Sequence, residues 1–387
     1  MIETKKFSKK LFLLLPLILF LVIYNAIPEK VTIFEGQKTG TLFGLSAKAD
    51  NYSVGEHKCD IMLFDIFPIK TVSVAVEPQM CVIPSGEAIG VKLYTDGVLV
   101  LGSGSVVDKN GNASEPAKNA GIVKGDRIIA VNDEPILCND DLKRIINRKK
   151  GHITASIIRG SESIKIPVEA VYSKDTNSYL IGLWVRDSAA GIGTLTFYNP
   201  QNSTFAALGH GICDYDTDAL FCLRDGSISY CRVKSVTKSE NGSPGEILGE
   251  FSAKKVGDIL ANSEVGIYGN IQNAPSSPLV PVASRFEAQT GEAQLLCDVD
   301  GEGPKAYKIE ITRVSKAAKS SGKSFVFKIC DDALIKKTGG IVQGMSGSPI
   351  LQNGKLLGAV THVFVNDATH GYGIFAENML DMSNMIR

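Results

Sequence analysis

Gly344-Met345-Ser346-Gly347-Ser348-Pro349 places one hydroxyl between two glycines. A serine works as a nucleophile when the backbone beside it can close on a reacting carbonyl, and both glycines permit that. Gly344 leaves its N–H able to turn toward a developing oxyanion, as does the N–H of Ser346, while Gly347 keeps a side chain off an approaching substrate. At neutral pH a hydroxyl also needs an adjacent base, most often histidine. The chain holds His57, His152, His210, His362 and His370. His210 follows two strand-like runs, Ile192 to Tyr198 and Ser203 to Leu208, joined by Asn199-Pro200-Gln201-Asn202. It therefore closes a hairpin and precedes the serine in chain order. His362 is the rival base, on the strand just after the nucleophile.

A third group should orient the imidazole and stabilise its charged form. Asp214, Asp216 and Asp218 crowd after His210; Asp258, Asp298 and Asp300 lie between base and nucleophile; Asp331 and Asp332 end the apolar run Phe325 to Cys330. No spacing rule selects among them. Nothing in this chemistry asks for a cofactor or a metal.

The elements that position these residues read as β. Ile350 to Thr361 forms two apolar strands around Asn353-Gly354, the signature of a tight hairpin. A nucleophile loop running into a hairpin fits a β-barrel and opposes the strand-to-helix elbow of an α/β-hydrolase. At 387 residues the chain has room for two or three domains. Its 41 basic and 41 acidic residues cancel, so no net field draws it to nucleic acid.

Two further segments stand out. Lys5, Lys6, Lys9 and Lys10 precede an uncharged run from Leu11 to Tyr24, weakly extended by Asn25-Ala26-Ile27-Pro28. That pattern suits an export signal or a short membrane anchor with the lysines inside, and the lack of a small-x-small cleavage site favours an anchor retained in the protein. Ala120 to Asn132 reads A-G-I-V-K-G-D-R-I-I-A-V-N, which matches the PDZ pattern. Upstream, Ile89-Gly90-Val91 supplies a carboxylate-binding loop and a strand edge for a peptide; downstream, Asp140 to Asn147 has the helical period of the opposite groove wall. Pro28 to Val74 reads as a poorly periodic linker with some strand. The eight cysteines show no C-x-x-C pair and no zinc spacing, and are expected to be mostly free and buried.

Anchor, PDZ pattern, Gly209-His210-Gly211 and the run Gly340 to Pro349, continuing through Gly358-Ala359-Val360-Thr361-His362-Val363-Phe364-Val365-Asn366-Asp367 to Gly371-Tyr372-Gly373-Ile374, together resemble the stage IV sporulation protein B peptidases of endospore-forming bacteria. The resemblance implies a mainly β chain: an N-terminal transmembrane anchor (1–28), a linker (29–78), a PDZ domain (79–172) and a chymotrypsin-like double β-barrel serine peptidase domain (173–387). It implies Ser346 as nucleophile, His210 as base and Asp331 as acid. It further implies export to the space between forespore and mother cell, cleavage of a membrane regulator of an intramembrane protease, and self-cleavage near the linker. The competing readings are a non-catalytic PDZ adaptor and a quality-control protease of the HtrA type, in which the PDZ domain would follow the protease.

Overall fold

The computed structural model of the protein describes residues 18–25, 27, 29–35, 45–47, 53–240, 242–273, 277–316 and 322–386. Two units are distinguished, residues 1–81 with 281–288, and residues 82–280 with 289–387. Strands dominate both.

The smaller unit is a four-stranded sheet in the order Lys30–Phe34, Phe67–Glu77, Gly55–Leu63, Leu45–Ala47. Val72, Val74 and Val76 alternate inward and pack with Cys59 and Ile33, the two-residue period of a half-buried strand. The expected linker is therefore largely folded sheet. A helix occupies residues 18–25, while the four lysines and Leu11 to Leu17 lie outside the described residues, as do Ala26 and Pro28. Among the described residues no helix is long and apolar enough to cross a membrane.

The larger unit holds two six-stranded barrels. In the first, Ala88–Ser103 pairs with Leu223–Thr237, then come Glu246–Ser263, Gly266–Ile271, Thr204–Ala207 and Leu183–Asn199, which returns to pair with Ala88–Ser103. Ile89, Val91, Leu93, Leu195, Phe205, Ile228, Ile259 and Ile267 fill it. The second closes through Gly291–Cys297, Lys305–Val314, Phe325–Ile329, Asp367–Phe375, Lys355–Phe364 and Pro349–Gln352. Barrel closure leaves no free sheet edge. The turn Asn353-Gly354 has φ of 52° and 75°, the left-handed pair of a type I′ hairpin.

The stretch with the PDZ pattern is inserted within the first barrel. Between the barrel-forming halves of Ala88–Ser103 and Leu183–Asn199 the chain builds the helices Pro116–Asn119 and Asn139–Lys149 and the strands Arg127–Val131, His152–Arg159 and Glu162–Glu169 around a separate core of Val98, Val100, Ile128, Leu142, Ile145 and Ile157. The motif is explained locally. Gly121 and Gly125 both have φ of 91°, open to glycine at no steric cost. The carboxylate of Asp126 is fully buried, accepts the Val123 N–H at 2.9 Å and takes two bonds of 2.7 Å from the Arg159 guanidinium.

This placement corrects the expected boundary and the expected peptide groove. Ile89, Gly90 and Val91 are not a loop. They lie at the start of the strand Ala88–Ser103, paired to Gly193, Ile192 and Gly191 on one side and to Tyr230, Ser229 and Ile228 on the other. With both edges occupied, the strand has no backbone groups to offer an added peptide.

Candidate active site

Gly344, Ser346 and Gly347 lead into the hairpin of the second barrel, but the first barrel shapes the loop. The Thr194 N–H donates to the Ser346 carbonyl at 2.9 Å, its Oγ1 to the Gly344 carbonyl at 2.8 Å, and Thr196 Oγ1 to the Gly347 carbonyl at 2.7 Å. Both threonines are buried in the otherwise apolar run Ile192 to Phe197. That pair of inward polar residues was the available sequence signal for the clamp. Gly347, at φ 93°, is glycine for a different reason from the expected one: a Cβ there would lie 2.2 Å from the Thr194 carbonyl oxygen, so it admits the neighbouring barrel rather than the substrate. Gly344 has φ of 100°. Among the described residues no acceptor takes the N–H of Gly344 or of Ser346, as an oxyanion site requires.

Ser346 Oγ donates to the Thr361 carbonyl at 3.1 Å. His210 follows the strand Thr204–Ala207 through Leu208 and Gly209, at φ 70° and 69°. Ser346 and His210 line the same cavity of about 290 Å³ together with Leu208, Ile212, Gln343 and Gly344. No carboxylate, lysine or arginine contributes to its wall, so it suits an uncharged stretch of peptide.

The Nδ1 of His210 lies 2.9 Å from the Gly211 carbonyl. A carbonyl only accepts, so this contact assigns the proton to Nδ1 and leaves the Nε2 lone pair for proton abstraction. Burial holds the His210 imidazole below the ordinary histidine range, and the Gly211 carbonyl offsets part of that. The His362 ring lies beside it, centroids 5.3 Å apart. Loss of solvent around His362, with the charges of His210 and Lys323, pushes it down to about 4. His362, the rival base, is thus a neighbour of the site.

Asp331 is not brought to the imidazole. It caps the helix Asp332–Thr338: Oδ1 accepts the N–H groups of Ala333 and Leu334 at 3.1 Å, and Oδ2 accepts that of Lys308 at 3.3 Å. Asp332 opens the same helix. Five of the other candidates have tasks elsewhere. Asp214 and Asp216 bind Arg186, Asp258 binds Lys255, Asp298 accepts the N–H groups of Asp300 and Gly301, and Asp300 binds Lys305 and Lys337. The position expected of an acid is filled by a backbone carbonyl. Asp331→Ala is expected to cost about 1 kcal/mol of stability, whereas Asp331→Asn, which still caps, keeps Ser346 labelling by a fluorophosphonate within about tenfold of the parent. A thousandfold loss in Asp331→Asn at unchanged Tm would restore Asp331 as the acid.

No disulfide joins the described cysteines; Cys59, Cys231 and Cys297 are buried and Cys213, Cys222 and Cys330 are exposed.

Two antiparallel six-stranded barrels, with a histidine from the first and a glycine-flanked serine from the second lining one cleft, define a double-barrel serine endopeptidase. The profile of the SpoIVB peptidase S55 family matches residues 177–380, just over half the chain, and the chain belongs to that family. Its substrates are accordingly proteins. No curated protein matches the sequence. Among solved structures, the Rv3671c protease of M. tuberculosis in its active form is 17% identical, with 51% of this chain and 74% of that one covered and a TM-score of 0.33. The inactive form is 18% identical over 50% and 84%, with a TM-score of 0.30. The PDZ domain of the SdrC-like protein of Listeria monocytogenes is 20% identical over 23% of this chain and 87% of that one, with a TM-score of 0.19.

Proposed function

We propose that this endopeptidase is a membrane-tethered signalling protease of sporulation. In this reading it cuts the extracytoplasmic part of a membrane regulator, and itself near its N-terminal segment, from a position between the forespore and mother-cell membranes. The cut releases an intramembrane protease that processes a late mother-cell sigma factor. Family membership and the basic-then-apolar N-terminus support this. The chemistry rests on one observation: Ser346 and His210 line one cavity beside two backbone N–H groups without acceptors.

In the proposed reaction Ser346 Oγ turns from the Thr361 carbonyl toward His210. Nε2 takes its proton as Oγ attacks the peptide carbonyl, and the N–H groups of Gly344 and Ser346 hold the oxyanion. The imidazolium, steadied through Nδ1 by the Gly211 carbonyl, then gives the proton to the leaving amine. Water repeats the sequence on the acyl-enzyme.

The test is to incubate the full-length protein in detergent with extracytoplasmic fragments of membrane regulators and to sequence the products. One new N-terminus, absent with Ser346→Ala, is the expected result; intact fragments beside a fluorophosphonate-reactive Ser346 would leave a peptidase whose target lies elsewhere.

The base makes a second prediction. A histidine acts as base when neutral, and burial lowers its pKa, so His210 stays neutral to lower pH. The acid limb of kcat/KM should have its midpoint below about 6.5. The same depression means that folding stability is kept above that value and lost as pH falls through it. A midpoint at or above about 7 would indicate a carboxylate partner raising the pKa.

A further inference from the structure

In the smaller unit the hairpin joining Gly55–Leu63 to Phe67–Glu77 ends in Phe64-Asp65-Ile66-Phe67. Phe64, Ile66 and Phe67 are 66%, 67% and 62% exposed. Three adjacent large apolar side chains on one turn are costly in water, and the turn itself does not require them. Phe64 has φ of 52°, where glycine or asparagine is the usual occupant and a bulky residue is disfavoured.

The tip also has a direction. Lys30–Phe34 runs parallel to Phe67–Glu77 with Lys30 opposite Ser73, so the chain entering from the N-terminus arrives at the hairpin-tip end of the sheet. Lys70, three residues beyond Phe67, donates to the Ile27 carbonyl at 2.7 Å and lies 4.9 Å from the Tyr24 ring centroid. Helix 18–25 packs Ile23 on the sheet and leaves Ile18, Leu19, Phe20, Leu21 and Val22 exposed. The end of the apolar run and the apolar tip therefore share one end of the unit, with a lysine and a tyrosine between them, the pair that favours a membrane interface.

We propose that Phe64, Ile66 and Phe67 insert into the interfacial layer of the bilayer that holds the N-terminal apolar run. The inference rests on the proposed membrane tether. From Lys70 the strand reaches about 10 Å to the tip at ~3.3 Å per residue, comparable to the ~5–10 Å depth of interfacial insertion. Asp65 sits on the same turn, so the insertion stops at headgroup depth and suits zwitterionic rather than anionic lipid. Two contacts then hold the sheet upright on the membrane in place of one.

The experiment uses the full-length protein in phosphatidylcholine vesicles brominated near the headgroup end of the acyl chains. Trp184 is the one native tryptophan, so the parent supplies the background. Phe64→Trp reports the tip, and Val54→Trp, 49% exposed at the opposite end of the same hairpin, is the control. The expected result is blue-shifted emission from Phe64→Trp, quenched at least about twofold more than from Val54→Trp. Adding Ile66→Glu and Phe67→Glu should remove that difference while the protein remains in the vesicle pellet with unchanged circular dichroism. Equal quenching of both reporters in a vesicle-bound protein overturns the insertion and leaves the tether standing. A blue shift without lipid quenching overturns it in favour of a second protein chain on the tip. Extraction of the full-length chain by alkaline carbonate overturns tether and insertion together.

Discussion

Ser346→Ala and His210→Ala should each lower kcat/KM on a peptide substrate by about 10⁴-fold or more. The size follows from the division of labour. Without Ser346 Oγ there is no acyl-enzyme, and without the Nε2 lone pair the hydroxyl keeps its proton. What remains is binding and the two N–H groups of Gly344 and Ser346. Folding should change little. Ser346 Oγ makes one hydrogen bond, to Thr361, and such a bond contributes about 1 kcal/mol net. Thermal melting should therefore fall by no more than ~2–4 °C. Burst titration with an active-site label and calorimetry on the same samples separate the two effects. Near-parent turnover in either variant at parental Tm would remove that residue from the chemistry. The double variant should be no worse than the more impaired single, because the two residues act as one unit.

Gly90→Trp distinguishes a peptide groove from a barrel strand. If Gly90 lined a groove, tryptophan would block large tethered targets and spare short peptides. The structure predicts otherwise. A Cβ on Gly90 would lie 2.5 Å from the Phe251 ring, so an indole must displace that ring and bend a strand held on both edges. Overpacking of this kind costs ~1–3 kcal/mol, and more where the backbone is confined. Val91, the next residue, lines the cavity with Ser346 and His210, so the distortion reaches the site. Short and long substrates should lose kcat/KM equally, with a fall in Tm of several degrees measurable by calorimetry. Selective loss on the long substrate at parental Tm would return the residue to a groove.

The sequence by itself determined the features whose physics is local. The Asn353-Gly354 turn, the hairpin that ends at His210 and the left-handed turns at Gly121 and Gly125 each depend on residues a few positions apart, and the composition of those segments carries them. Tertiary structure decided what depends on distant pairing. Ile89-Gly90-Val91 has the composition of a peptide-receiving loop, yet Leu183–Asn199 and Leu223–Thr237 close over both of its edges. Asp331 has the position of an orienting acid, yet the exposed N–H groups of the next helix and of Lys308 claim its oxygens. Thr194 and Thr196 carry no motif, yet they hold the nucleophile loop from the other barrel. A carboxylate or a strand edge binds whichever partner the closed barrels bring within about 3 Å, and that choice is made by chain segments remote in sequence.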